Sequence, residues 1–320
     1  MTDPNGVLLD LTTIDRGDLD LARLRRVCPR WELYERTAPE VTLQRIKDAH
    51  IAVTNKVVLD RRILAGAPNL KLICIAATGI NNVDLEAARE MGIRVTNVVR
   101  YATPAVVQHV FGLILALTTR LNDYREAVAQ GAWRRSEQFC LLDFPIRELA
   151  GRTLGIVGYG ELGQAVGRVA EAFGMELLIA QRPGGPARPG RIPLHELLPR
   201  ADILTLHCPL TESTRNLIGA GELGLMRPDA LLINTARGGI VVEPALADAL
   251  RQGVIGGAGV DVLEVEPPKE GNPLMQSGIP NLIVTPHIAW ASRESRQRLI
   301  DEVALNIEAF REGRERNRVV

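Results

Sequence analysis

Short apolar runs alternate with amphipathic stretches along the first part of the chain: 7–11 then 19–27, 32–34 then 41–48, 51–54 then 59–65, 72–75 then 83–91, and last 94–96. Strands spaced by helices in this way predict a parallel sheet with crossover helices. Strand patterns resume at 153–157, 176–180, 203–207, 230–234, 256–260 and 282–285, a second doubly wound set. The closing periodicity over 292–311 puts Leu299, Ile300, Val303, Ile307 and Phe310 on one helical face and suits a return to the first domain. The expected fold class is therefore α/β, with two doubly wound parallel-sheet domains. Residues 1–100 plus 291–320 form a flavodoxin-like domain and 101–290 a Rossmann domain.

Between the two sets lies a helix over 105–121 that is apolar nearly all round, with Val106, Val107, Val110, Phe111, Leu113, Ile114, Leu115 and Leu117. Thr103 is placed as its N-cap and Pro104 at its first turn. A helix without a polar face needs cover on several sides, so it is expected to link the domains and to enter a subunit interface, which predicts a homodimer. Residues 130–145 show no period and read as a long loop carrying Trp133, Phe139 and Phe144. The basic tail 311–318 reads as a solvated, frayed end.

The second domain opens on a glycine turn. After the strand at 153–157 come Gly158, Gly160 and Gly163, followed by a helical pattern over 164–173. Gly158 permits a tight turn, Gly160 lets backbone approach a pyrophosphate, and Gly163 lets helix pack on strand; the helix start offers free N–H groups to phosphate. Isolated glycine triplets occur in ordinary turns, but this strand–turn–helix context marks a dinucleotide site. No such triplet occurs in the first domain.

Charge and cysteine content narrow the partners. The 38 basic and 38 acidic residues cancel, which argues against nucleic acid or an anionic membrane and leaves small-molecule chemistry. No apolar run approaches a membrane span, and residues 1–6 are polar and acidic rather than basic then apolar, so a cytoplasmic location is expected. Cys28, Cys74, Cys140 and Cys208 lack Cys-x-x-Cys spacing and read as reduced thiols, with no metal site.

Ligands of open parallel sheets bind beyond the carboxyl ends of the strands. The residues there are Arg237 after the fourth strand of the second set, Asp261 through Glu266 after the fifth, and His287 after the sixth. That set suits hydride transfer to the carbonyl of a 2-keto acid. A histidine supplies the proton the new alkoxide needs, a carboxylate orients that histidine and favours its charged form, and an arginine fork holds a substrate carboxylate. Among the other histidines, His109 on the apolar helix reads as a satisfied core residue, His50 and His195 fall on helical patterns, and His207 offers backbone to a cofactor. Trp290 either walls a substrate pocket or simply packs.

With these motifs in view the chain resembles the D-isomer-specific 2-hydroxy acid dehydrogenase family along essentially its whole length. The resemblance rests on the glycine turn and on Ala-Ala-Thr-Gly-Ile-Asn-Asn-Val-Asp from Ala76, Leu-His-Cys-Pro-Leu-Thr from Leu206, Asn-Thr-Ala-Arg-Gly-Gly from Asn234, Asp-Val-Leu-Glu-Val-Glu-Pro-Pro from Asp261, and Thr-Pro-His from Thr285. It implies that Arg237, Glu266 and His287 are catalytic. It implies cofactor contacts at Thr103, Cys208, Pro209, Thr235, Ala236 and Asp261, and further cofactor contacts are expected at Gly158, Gly160, Glu161, Leu162 and Gly163 of the glycine turn, at Gln181 and Arg182, and at Thr214. It implies that backbone amides at Thr78 and Gly79 grip the substrate carboxylate, and further substrate contacts are expected at Asn55 in the first domain and at Arg237 and His287.

Within the family, residues 53–59 and 287–290 look most like glycerate dehydrogenases, also called hydroxypyruvate reductases, which often accept glyoxylate. Where NAD-specific members carry an acidic residue, this chain has Gln181 followed by Arg182. That favours NADP(H), with NAD(H) use as the competitor. Two alternatives stay open: a dinucleotide-sensing scaffold without turnover, and a dehydrogenase for another 2-hydroxy acid.

Overall fold

The computed structural model describes residues 4–320; residues 1–3, part of the stretch read as no leader, lie outside the described residues. It separates into two compact units, one running through Ala102 and resuming at Ala291–Val320, the other Thr103–Trp290.

The first unit runs β1 (Asn5–Leu8), α1 (Ala22–Arg26), β2 (Arg30–Leu33), α2 (Pro39–Ile46), β3 (Ile51–Thr54), α3 (Arg61–Ala65), β4 (Leu72–Ile75), α4 (Leu85–Glu90) and β5 (Arg94–Thr96). Its strands pair in parallel in the order β2-β1-β3-β4-β5, the flavodoxin-like arrangement. Every position of β3 and β4 is buried, as in a parallel strand covered by helices on both faces. Asp60 and Asp84 set the starts of α3 and α4, accepting the N–H of Ile63 and Ala87, so each helix begins later than its apolar periodicity.

The second unit continues with α5 (Thr103–Thr118), α6 (Leu121–Ala129), β6 (Thr153–Val157), α7 (Glu161–Ala172), β7 (Glu176–Ile179), α8 (Leu194–Leu197), β8 (Ile203–Leu206), α9 (Ala220–Leu225), β9 (Leu231–Asn234), α10 (Glu243–Arg251), β10 (Gly257–Val260) and β11 (Leu282–Val284). Its parallel sheet is ordered β11-β10-β9-β8-β6-β7. Outside β7, Ile192 makes a single parallel bridge to Ala180. Taken as a vestigial strand, it completes the Rossmann order. Pro193 directly follows it and has no N–H to extend a ladder.

The chain then returns to the first unit as α11 (Arg293–Arg311), capped by Ser292, whose hydroxyl accepts the Ser295 N–H. Its buried face, Leu299, Ile300, Val303, Ala304 and Ile307, packs on α1 and β4.

Three expectations are corrected. The apolar helix does not reach Leu121: the hydroxyls of Thr118 and Thr119 bond back to the Ile114 and Leu115 carbonyls at 2.8 and 2.6 Å, Arg120 turns left-handed at φ 55°, and α6 begins afresh. Thr103 is the first residue of α5 rather than its cap, because its hydroxyl has a carboxylate within reach and donates to Glu161 Oε1 at 2.5 Å. The tail is not frayed. The N–H groups of Val95 and Asn97 donate to the carbonyls of Val320 and Asn317, and Arg316 pairs with Glu302 at 2.6 Å. β5 is an edge strand whose unpaired backbone groups provide that docking site.

The interface argument shifts with them. Val106, Val110, Phe111, Leu113, Ile114 and Leu117 of α5 are buried inside their own unit, against α7, β9 and β10, and Val107 and Leu115 are half-buried. Six exposed large apolar residues, Leu121, Val128, Trp133, Phe139, Leu142 and Ile146, fall in the segment that follows.

Candidate active site

β6 ends at Val157, and Gly158 turns the chain with φ +93°. A Cβ on Gly158 would stand 2.5 Å from the Cys208 nitrogen, and one on Gly163 would stand 2.2 Å from the Gly158 oxygen, so both positions exclude every side chain. Gly160 instead faces open space as the N-cap of α7. An open, side-chain-free approach to the free N–H groups of a helix start is what a diphosphate requires, so the residues present fit a dinucleotide. Glu161 opens the helix with its carboxylate on Thr103, and Leu162 beside it is half-buried.

β6 lies between β7 and β8, where the sheet order reverses. Past β8, burial pushes the His207 imidazole down to about 4; Nε2 meets Thr205 Oγ1 at 2.9 Å, and Nδ1 is buried without a partner. Cys208 is buried, which raises its thiol above the usual range, and Pro209 is exposed. The Thr214 hydroxyl is committed to the Pro209 carbonyl at 2.6 Å. Beyond β9, the Thr235 hydroxyl is buried without a partner, and Ala236 donates its N–H to Asn234 Oδ1 at 3.1 Å.

Three neighbouring strands, β9, β10 and β11, deliver Arg237, the Asp261–Glu266 stretch and His287. His287 Nδ1 meets Glu266 Oε2 at 2.6 Å, both side chains being about a third exposed (31% and 34%). The other oxygen of Glu266 accepts the Leu263 N–H at 2.8 Å, which fixes the carboxylate on its loop. Arg237 is exposed, with its guanidinium folded back on the Ala236 carbonyl at 2.6 Å. The direct contact is thus between His287 and Glu266, and Arg237 stands on the adjoining loop.

His287 is left-handed, φ 55°, a conformation that non-glycine residues rarely adopt without support. The support is Asp261, only 1% exposed. Its carbonyl accepts the His287 N–H at 2.8 Å, and its carboxylate accepts from Ile288 and Ala289 at 2.9 Å each and from the Thr285 hydroxyl at 2.5 Å. His109 on α5 adds Nε2 at 3.0 Å from Thr285 Oγ1 and 3.4 Å from Asp261 Oδ1. Burial opposes ionisation of Asp261, but these donors outweigh it and hold the carboxyl below its usual range. The indole of Trp290 donates back to the His287 carbonyl at 3.0 Å. The carboxylate of Asp261, a residue expected at the cofactor, accepts its bonds from the loop of His287.

At the end of β7, Gln181 donates its side-chain amide to the Gly185 carbonyl at 3.2 Å, which closes the Gly-Pro loop, and Arg182 is exposed. In the first unit, Thr78 is exposed after β4, its hydroxyl on the Val98 carbonyl at 2.8 Å, and Gly79 follows it half-buried. Asn55 is buried, with its amide on Thr13 Oγ1 at 3.0 Å, so the exposed residues beside it are Lys56 and Val58. His50 lies in the turn before β3, where it is tied to Asn5, not on a helix. The anchoring role of Asp261 and the partners of His109, Thr285 and Asp261, were missing from the sequence reading. The spacing of His109 from Thr285, 176 residues, leaves no local signal.

Residues 111–289 match the family profile described as D-isomer specific 2-hydroxyacid dehydrogenase, NAD binding domain. The chain is 46% identical over 306 residues to a glycerate dehydrogenase of Methylorubrum extorquens, covering 95% of this chain and 96% of that one. It is 37% identical to a hydroxypyruvate reductase of Blautia hydrogenotrophica over 313 residues, 96% and 97% of the two chains. Among solved structures it resembles an acyclic imino acid reductase in complex with NADPH and D-Arg, with a TM-score of 0.86, 26% identity and coverage of 99% and 100%.

Proposed function

The chain belongs to the D-isomer-specific 2-hydroxyacid dehydrogenase family, and on that premise we propose that it reduces hydroxypyruvate and glyoxylate with NADPH. That it is a nicotinamide-dependent 2-hydroxy acid reductase follows from the family and its named relatives. The observation that carries the chemistry is the 2.6 Å pair of His287 and Glu266 at the carboxyl end of the sheet whose β6 leads into the glycine turn.

The nicotinamide, when bound, supplies the hydride. Glu266 holds Nδ1 of His287, which leaves Nε2 to give its proton to the oxygen that becomes the hydroxyl. Arg237 neutralises the substrate carboxylate and draws electron density from the keto group. The resemblance also implies a substrate role for the backbone of Thr78 and Gly79.

NADPH is favoured because Gln181 carries no charge to repel a 2′-phosphate and Arg182 stands exposed beside it; the NADPH-bound relative supports this choice, and NADH remains the competitor. A homodimer is proposed from the exposed apolar residues of 121–146, a concentration that soluble monomers seldom leave wet. The deciding experiment follows NADPH absorbance in purified protein with hydroxypyruvate or glyoxylate, together with chiral analysis of the product. Tight NADPH binding without turnover of either acid would overturn the reading; turnover of a different 2-keto acid would then make the protein a dehydrogenase for another 2-hydroxy acid, and turnover of none a dinucleotide-sensing protein.

A further inference from the structure

Glu243 begins α10, at the end of the loop that leaves β9 through Arg237. It is only 9% exposed although it carries a carboxylate. An acidic side chain at a helix start would ordinarily face water or its own first-turn N–H groups. This one reaches across to the segment after β10: Oε1 accepts the Glu264 N–H at 2.7 Å, and Oε2 accepts from the Asn272 amide at 2.6 Å. Asn272 is itself fixed, since its Oδ1 caps the following turn through the Leu274 N–H at 2.9 Å.

The two points that Glu243 grips bracket Glu266. Immediately before the first, Leu263 gives its N–H to Glu266 Oε1 at 2.8 Å, and the second oxygen of Glu266 holds His287. The Arg237 loop and the Glu266 loop also touch, since a Cβ on Gly238 would fall 1.9 Å from the Leu263 oxygen. Contact alone would leave the loops free to slide. A buried carboxylate with both oxygens on the far loop fixes their register, because leaving either of its partners unpaired in a buried setting is costly.

We infer that Glu243 is a positioning residue for the reduction, tying the loop of Arg237 to the loop of Glu266 and so setting where the Glu266 carboxylate meets His287. The inference rests on the proposed function for its kinetic arm and on the geometry alone for its exchange arm. Glu243→Ala removes both acceptors. Glu243→Gln keeps one and sets an amide nitrogen against Asn272, so it serves as the milder variant should alanine not fold.

Hydrogen–deuterium exchange over residues 261–275 reads the hold directly: faster exchange there, with the glycine turn unchanged, is expected in both variants. Kinetically, kcat for hydroxypyruvate falls roughly tenfold to a hundredfold in Glu243→Ala, as for a misplaced catalytic group, while the Kd for NADPH stays within about twofold. Placed on a Glu266→Gln background, the same substitution costs less than about twofold, since the residue through which it acts has already been disabled. Unchanged exchange, or losses that multiply in the double variant, would overturn the inference. An inactive wild type would sink the proposed function instead, and the exchange result would then decide the positioning role alone.

Discussion

The carbonyl of Asp261 accepts the N–H of His287 at 2.8 Å, and the carboxylate of the same residue accepts the next two backbone N–H groups at 2.9 Å each. A left-handed histidine costs on the order of 1 kcal/mol or more, and three bonds from one buried residue keep it so. Asp261→Asn keeps the carbonyl but turns one side-chain oxygen into a donor facing another donor. The expected result is a folded protein, by circular dichroism, whose kcat drops about tenfold or more. Full kcat would show that the loop holds its shape without the carboxylate.

His287→Ala tests the proton donor. Removing a general acid lowers kcat on the order of a hundredfold or more, while NADPH binding, read by nucleotide fluorescence, persists. Arg237→Ala differs in kind, raising KM for the keto acid as well as lowering kcat, because it serves ground state and transition state together. Activity near wild type in His287→Ala would move the proton donor elsewhere.

The NADPH proposal is tested at Arg182. Its removal should lower kcat/KM for NADPH and leave that for NADH little changed, since a paired-donor contact to phosphate is lost and no contact to the ribose is touched. A wild type that prefers NADH, or an Arg182→Ala protein with its NADPH preference intact, would refute the assignment.

Light scattering should give a mass twice the chain's 35.0 kDa at micromolar concentration. Phe139 and Leu142, 90% and 78% exposed, are the sensitive positions, and replacing both by aspartate should yield monomers with the fold retained. A wild-type mass of one chain would end the dimer proposal.

His207 gives the fold a pH dependence. Burial pushes its imidazole down from 6.5 to about 4, so the unfolded chain takes up a proton at higher pH than the folded one. Stability is therefore full above 6.5 and is lost as pH falls toward 4, by about 3 kcal/mol from this residue. Urea midpoints of cofactor-free protein at neutral pH and near pH 4.5 should separate more in wild type than in His207→Gln. Equal losses in both would assign the acid sensitivity to other groups.

Strand positions and the glycine turn were legible because a buried parallel strand and a dinucleotide turn impose composition directly: apolar at every position in one, no Cβ in the other. The order Arg237, Glu266, His287 was legible for the same reason, since each follows a strand end. What escaped the sequence were partners met only through the fold. The break at Arg120 depends on two threonine hydroxyls bonding back within an apolar run, where hydropathy still reads as helix. The docked tail answers an edge strand that its own charges do not announce. The work of the Asp261 carboxylate lies 27 and 28 residues ahead in the chain, beyond any local period.

The first unit is split in sequence, with α11 arriving after every strand of the second unit has been made. Leu299, Ile300, Val303 and Ile307 are wholly buried, so the surfaces they cover stay wet until α11 has left the ribosome. On the ribosome the second unit can finish while the first waits as an open sheet. Its β4 face is then the surface where premature association would begin and where a holding chaperone would act.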